Sequence, residues 1–202
     1  YAVLALGLNI QWGMTGLFNA GIAGFFAIGA YASAILTSPA SSDHLGGFGL
    51  PVPLGLVASM AAAGLIAWPI GRICLRLRSD YLAIATIGIA EILRLVLKNE
   101  QWLTAGTRGI TDVPRPFESW PTPWWQIGYL AIVAAIVLVL YQLLERGRRA
   151  PWGRVMRAIR ENAAAAAAAG KDVVRFQLQA FVLGSMIMGL GGALMAHYAK
   201  FI

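Results

Sequence analysis

The chain has 202 residues, of which 58% are hydrophobic and 12% charged, with a formal net charge of +7 and a mean hydropathy of +0.67. That balance lies outside the range of ordinary soluble domains and describes a polytopic membrane protein. It excludes a nucleic-acid binder despite a pI near 10.1, because the basic residues cluster beside apolar runs rather than over a polar surface, and the single cysteine, Cys74, excludes an intrachain disulfide or a cysteine-based metal site.

Tyr1 opens directly into an apolar run with no basic n-region and no initiating Met, so no secretory signal is read and the chain is expected to be a fragment. No charged residue occurs from Tyr1 to Ser42, about twice the roughly 20 residues that one helix needs to cross a bilayer. The run must hold two membrane elements, divided at Gly13-Met14-Thr15-Gly16: a first that ends near Trp12 and a second from about Leu17 to Thr37. Discontinuous helices are where transporters bind substrate near the midplane. Asn9, Gln11, Thr15 and Asn19 either satisfy the backbone groups freed by such a break or line a path. The alternative is a tight turn at the membrane surface, with the amides capping helix ends.

Thr37 to Pro53 is rich in Ser, Gly and Pro and reads as a loop. An apolar helix from about Leu54 to Leu75 follows, then Arg76 to Asp80, where Ser79 or Asp80 can cap a helix from Tyr81 to Leu97. Glu91 sits about ten residues into that helix, on the order of 15 Å deep. Charges at that depth are paired or functional. Arg94, three residues on, shares its face. The pair either lines a substrate path or locks the helix inside the bundle, and the adjacent opposite charge favours the lock.

Residues 99–122, with Gly, Thr, prolines and tryptophans, read as a surface loop with interfacial aromatics. Two further spans are expected, at about Trp124 to Leu144 and Phe176 to Tyr198. Stripes of small residues, Ala23, Ala27, Ala30 and Ala34 in one span and Ser185, Gly189, Gly192 and Ala196 in the last, predict close helix packing. Arg72, Arg76 and Arg78 flank one connection, and the segment 146–175 is dense in Arg, whereas the other loops hold few or no uncompensated cations. The positive-inside bias places both Arg-rich connections in the cytoplasm.

That second connection is the most informative stretch. Pro151 suits a first helical turn; Val155, Met156, Ile159 and Ala163 share a face; the seven alanines from Ala163 to Ala169 favour helix; and Gly170 supplies a stop. A short amphipathic helix with a basic face could lie on anionic lipid, form a snorkelling collar, or dock into a groove on a cytoplasmic protein. Its small alanine surface tilts toward the groove. Enzyme signatures (HExxH, GxSxG, a P-loop) are absent, so this chain is not expected to hydrolyse ATP, to need a cofactor or to hold a metal. His44 and His197 read as ordinary interfacial residues.

The stretches LNIQWGMTGLFNAGIAGFFAIGAYASAIL, LRLRSDYLAIATIGIAEILRLVLKN with WLTAGTRGI after it, and PWGRVMRAIREN leading to RFQLQAFVLGSMIMGLGGAL together resemble the M-type permease subunit of branched-chain amino-acid ABC importers. The resemblance covers nearly the whole chain in order. It implies an all-α, polytopic transmembrane helical bundle, a single permease domain over 1–202 that is incomplete relative to the family, in the bacterial inner membrane. A second permease, two cytoplasmic ATPases and a periplasmic substrate-binding protein are the implied partners. By the same resemblance, Arg154 to Gly170 is the coupling segment, with Arg154, Arg157, Ile159, Arg160, Glu161, Ala165 and Gly170 as candidates for contact with the ATPase, while Asn9, Gln11, Thr15, Asn19, Glu91 and Arg94 are candidates for the translocation path. The chain departs from the family at Ala163 and Ala164, where acidic residues are common, and at Lys171, where an aliphatic residue is common. Branched-chain amino acids are the implied cargo. Urea or short amides are an alternative within the superfamily, a stand-alone secondary transporter using Glu91 a rival from another class, and a membrane-embedded enzyme a further one.

Overall fold

A computed structural model describes residues 1–39, 46–77 and 79–202, and among these every regular element is a helix. The elements in chain order are α1 (Ala2–Leu8), continued by one π-helical turn over Asn9–Met14, α2 (Ile22–Thr37), α3 (Val52–Cys74), α4 (Ser79–Asn99), α5 (Gln101–Thr104), α6 (Trp124–Arg149), α7 (Pro151–Glu161), α8 (Ala163–Ala168) and α9 (Val173–Ala199). Helices α3, α6 and α9 are long and apolar enough to cross a membrane. Helix α4 has the length, with 21 residues, but carries Glu91, Arg94 and Lys98. His44 and Arg78 fall outside the described residues, and the expected cap at Ser79 or Asp80 falls outside the described side chains.

Helix α9 is the axis of the bundle. Small residues at Gly184, Ser185, Gly189, Gly192, Ala193 and Ala196 are all buried, which lets neighbouring backbones approach closely, as packing in lipid requires. Helix α2 runs parallel to it: Phe25 stacks edge-on against Phe181, 5.7 Å between ring centroids, and Ser33 reaches His197. A Cβ added at Gly29 or Gly192 would overlap the backbone of the other helix. The stripe expected on α2 is displaced accordingly, because Ala30 and Ala34 are buried while Ala23 is exposed; Gly29 and Ser33 make the close approach. Helices α1, α3 and α6 run antiparallel to α9. Among the described residues one apolar core forms where Val3, Ile10, Leu140 and Met156 meet Ile187 and Leu190, a second where Phe25, Ile28, Ala67 and Leu82 meet Phe181 and Met188, and a small third where Ala34 meets Ile110 and Val113.

Antiparallel packing gathers the C-termini of α3 and α6, helix α7 and the N-terminus of α9 at one end, which carries Arg72, Arg76 and the arginines of 146–175. At the other end, residues 110–113 lie along the chain after α9: Ile110 and Ile202 exchange backbone hydrogen bonds of 2.9 and 3.1 Å, and Val113 donates to the Lys200 carbonyl. The Arg115 guanidinium stands 4.2 Å from the Trp125 ring centroid. Trp102 and Trp120 of the 99–122 segment are exposed, as read for a surface loop with interfacial aromatics, but the segment also holds α5 and is anchored to the chain after α9 by these bonds.

Candidate functional site

The polar residues of the first quarter converge on Gln11, which is fully buried. Its Nε2 donates to the Phe181 carbonyl at 2.8 Å and to Ser185 Oγ at 3.2 Å, both on α9. Its Oε1 accepts from Asn19 Nδ2 at 2.9 Å. Its main-chain carbonyl accepts the Thr15 hydroxyl at 2.5 Å and the Leu17 amide at 2.9 Å. Asn19 Oδ1 in turn accepts the Gly21 amide at 2.8 Å, and the Ala20 amide donates to Thr86 Oγ1 of α4.

These bonds explain why α2 begins at Ile22 and not near Leu17 as expected. The Thr15, Gly16 and Leu17 amides donate to the preceding turn, Asn19 to the Leu17 carbonyl, and Ala20 and Gly21 to side chains, so these donors do not enter a helical ladder. Gly16, at φ +74°, supplies the left-handed residue that the reversal requires. Burying the amides of Gln11 and Asn19 and the hydroxyls of Thr15, Thr86 and Ser185 is tolerated because each is hydrogen-bonded. Asn9 is different: it lies on the exposed side of the π-helical turn, beside Trp12, Gly13 and Arg160.

Helix α7 packs across the end of this break. Gly153, Met156 and Ile159 are buried against the bundle, while Arg154, Arg157 and Glu161 are exposed. Of the coupling candidates, Ile159 thus faces inward. Trp152 Nε1 donates to Gln179 Oε1 of α9 at 2.9 Å. Arg160 Nη1 donates to the Gly13 carbonyl at 2.5 Å, joining α7 to the first helix 147 positions away. The alanine run does not continue α7. Asn162, extended at φ −156°, accepts the Ala165 amide through its side chain and starts α8 as a new helix, so Ala163 does not share the α7 face. Asn before a run of strong helix formers was the legible signal. Ala165 is exposed on α8, and Gly170, at φ +76°, ends the segment as expected.

Glu91 and Arg94 form a two-pronged ion pair, Nε to Oε2 at 2.9 Å and Nη2 to Oε1 at 2.5 Å. The pair does not lock α4 inside the bundle. It stands on an exposed face of α4, with side chains 53% and 59% accessible, because α4 packs through Leu82, Thr86 and Ala90 on its other side. His197 departs from the interfacial role read for it. It is buried, Nδ1 lies 2.7 Å from the Pro114 carbonyl and Nε2 2.9 Å from Ser33 Oγ. A carbonyl only accepts, so Nδ1 carries the proton, and the ring ties α2 and α9 to the segment before Arg115.

The family model described as the branched-chain amino acid transport system / permease component matches residues 1–202. The chain belongs to this permease family. The chain is 34% identical over 226 residues to the high-affinity branched-chain amino acid transport system permease protein LivM of Salmonella typhimurium, covering 100% of this chain and 51% of that protein. The LivM protein of Escherichia coli K12 gives the same identity and coverage. A probable LivM from Methanocaldococcus jannaschii is 25% identical over 98% of the chain and 64% of its own length. The chain therefore spans about half the length of these two LivM proteins. No solved structure matches it.

Proposed function

We propose that this chain is the core of a longer permease that, with a second permease subunit, forms the pathway of an ATP-driven importer of branched-chain amino acids in the bacterial inner membrane. The observation that carries the reading is helix α7, seated by Gly153, Met156 and Ile159 while Arg154, Arg157 and Glu161 remain outside for a partner. In this reading the Arg-rich end is cytoplasmic. Two ATPases dock there on α7 and α8, and a periplasmic binding protein delivers the amino acid at the opposite end. The permease itself supplies no catalytic group. Names of the relatives support branched-chain amino acids over urea or amides as cargo.

The exposed ion pair of α4 fits a pathway between subunits. A Glu–Arg pair at mid-helix is costly against lipid, so its face is covered by the second permease or by the water of the path. Gln11, Thr15 and Asn19 act in this proposal as the node that holds the break, and Asn9 as the exposed amide beside it. A stand-alone proton-coupled transporter is disfavoured, because the Glu91 carboxylate is held by both prongs of Arg94. Co-purification of the tagged full-length parent, followed by reconstitution with a loaded binding protein, tests the proposal. ATP-dependent leucine uptake by a complex of two permeases and two ATPases is the expected result. Uptake by the permease alone, driven by a proton gradient, would reject it.

A further inference from the structure

We infer that Arg160 is a positioning residue that ties the amphipathic helix α7 to the broken first helix, so that movement of α7 is carried to the Gln11 node on α9. The inference rests on the reading above, in which ATPases act on α7, and it assigns Arg160 a direction opposite to the one expected of it: inward, onto the permease, rather than outward, onto the ATPase.

Of the carbonyls at the end of the broken helix, that of Gly13 is filled from outside. The Thr15 and Gly16 amides are bonded to the Trp12 carbonyl, Leu17 to Gln11 and Asn19 to Leu17, so these amides are committed elsewhere. The Gly13 carbonyl, at the C-terminal end of the helix, receives Arg160 Nη1 at 2.5 Å. A cation at that end opposes the partial negative charge of the helix terminus, and a charge-assisted bond is stronger than a neutral one. The stem of the arginine lies along the reversal, since a Cβ placed at Gly16 would stand 3.4 Å from Arg160 Cγ. Helix α7 is thus held at both ends, by Trp152 on Gln179 of α9 and by Arg160 on Gly13. An 11-residue helix is a rod about 16 Å long. Pinned at both ends, it moves only by displacing α9, the break, or both. Two residues before Gly13, Gln11 bonds α9 at Phe181 and Ser185, so a pull on Gly13 reaches the middle of the axial helix.

The test uses the full-length parent in complex with its partner subunits and compares wild type with Arg160→Met, Arg160→Lys and Arg157→Met. ATPase retention, ATP hydrolysis, uptake and amide hydrogen exchange over residues 13–21 are read. With Arg160→Met, the ATPases stay bound and hydrolyse ATP within about twofold of wild type, uptake falls about tenfold, and exchange over 13–21 rises about tenfold, the loss of one charge-assisted bond. Arg160→Lys keeps a donor and restores uptake to within about threefold. Arg157→Met, on the outer face, sheds ATPase and leaves exchange over 13–21 as in wild type. An Arg160→Met complex that loses its ATPases with unaltered exchange would put this residue on the ATPase surface and overturn the inference, as would wild-type uptake with unaltered exchange. If the methionine variant does not insert, Arg160→Ala, which also lacks a donor, decides: wild-type exchange in the presence of lost ATPase binding overturns the tie, and raised exchange with retained ATPase supports it. Should the wild-type parent retain no ATPase at all, the functional reading fails by itself. The tie is then judged in the isolated full-length permease, where unchanged exchange over 13–21 in Arg160→Met overturns it and a rise sustains it.

Discussion

The side-chain amide of Gln11 donates to the main-chain carbonyl of Phe181 at 2.8 Å, across 170 positions of sequence. A helical carbonyl has a second lone pair, so Phe181 accepts this bond without leaving the α9 ladder. The same glutamine accepts from Asn19, Thr15 and Leu17, so one side chain and its own carbonyl organise both ends of the break.

Replacing Gln11 with Leu keeps the volume and removes the node. Asn19 Nδ2 and Ser185 Oγ lose their partner in a buried site, and each unpaired group costs about 1–3 kcal/mol. The apparent Tm of the full-length protein in detergent is expected to fall by several degrees. Asn19→Leu should cost a similar amount and the double variant less than the sum, because the two belong to one network. A Tm indistinguishable from wild type for Gln11→Leu would mean that the node does not hold the break.

The crossing of α2 and α9 is tested by glycine substitution. Gly192→Val places a branched side chain against the Phe26 carbonyl and the Ala30 amide, and overpacking of this kind costs about 1–3 kcal/mol or more. Gly88→Ala, on the exposed side of α4 with nothing within 4 Å of the added carbon, should be neutral or slightly stabilising. Monodisperse protein yield after membrane extraction distinguishes them; equal yields would show that the helices have room to separate.

Single and double variants of the α4 pair separate a structural role from a path. Arg94→Met leaves the Glu91 carboxylate unpaired at mid-helix and should lower inserted protein and uptake by about tenfold, whereas Glu91→Gln with Arg94→Met removes both charges. Restored insertion with uptake still low assigns the pair to the path. Full recovery of both in the double variant would leave it no part in transport.

His197→Phe fills the same space without either nitrogen. The ties to Pro114 and Ser33 are lost, and hydrogen exchange at Ile110 and Val113, whose amides bond to the chain after α9, should rise about tenfold or more. Unchanged protection at those two amides would mean that the backbone pairing alone secures the segment.

Acid should loosen the same end. The Lys200 ammonium hydrogen-bonded to Glu118 holds that carboxyl below the ordinary carboxylate range. The folded pKa is depressed relative to the unfolded chain, so the contribution is complete above the ordinary carboxylate range and disappears as pH falls through the lowered value. Glu118→Gln should abolish this part of the pH dependence of protection at Val113. Its persistence in the variant would place the titration elsewhere.

Much of the fold was legible locally. A chain segment of given hydropathy and length against a fixed bilayer thickness yields its spans within a few residues, as α3, α6 and α9 show. Helix ends followed the same logic where they depend on near neighbours: Pro151 at a first turn and Gly170 at a stop. Asn162 was equally legible as a cap. The reversal at Gly13–Gly16 was marked by glycine, because a backbone at positive φ favours it.

Tertiary structure alone decided what the polar residues do. Helical periodicity says that Glu91 and Arg94 share a face, but whether that face is inside or outside depends on which side of α4 meets α2. Composition marks the segment after α4 as a loop, yet its backbone is paired with residues that follow α9. His197 is buried because the Pro114 carbonyl and the Ser33 hydroxyl arrive from elements far off in the chain. Arg160 reads as one of a row of exterior cations; it stays exposed, but its guanidinium is bonded to the Gly13 carbonyl that the break presents. Hydropathy and capping act over a few residues and are written in the sequence, whereas the satisfaction of a buried donor or acceptor is settled by whichever helix packs beside it.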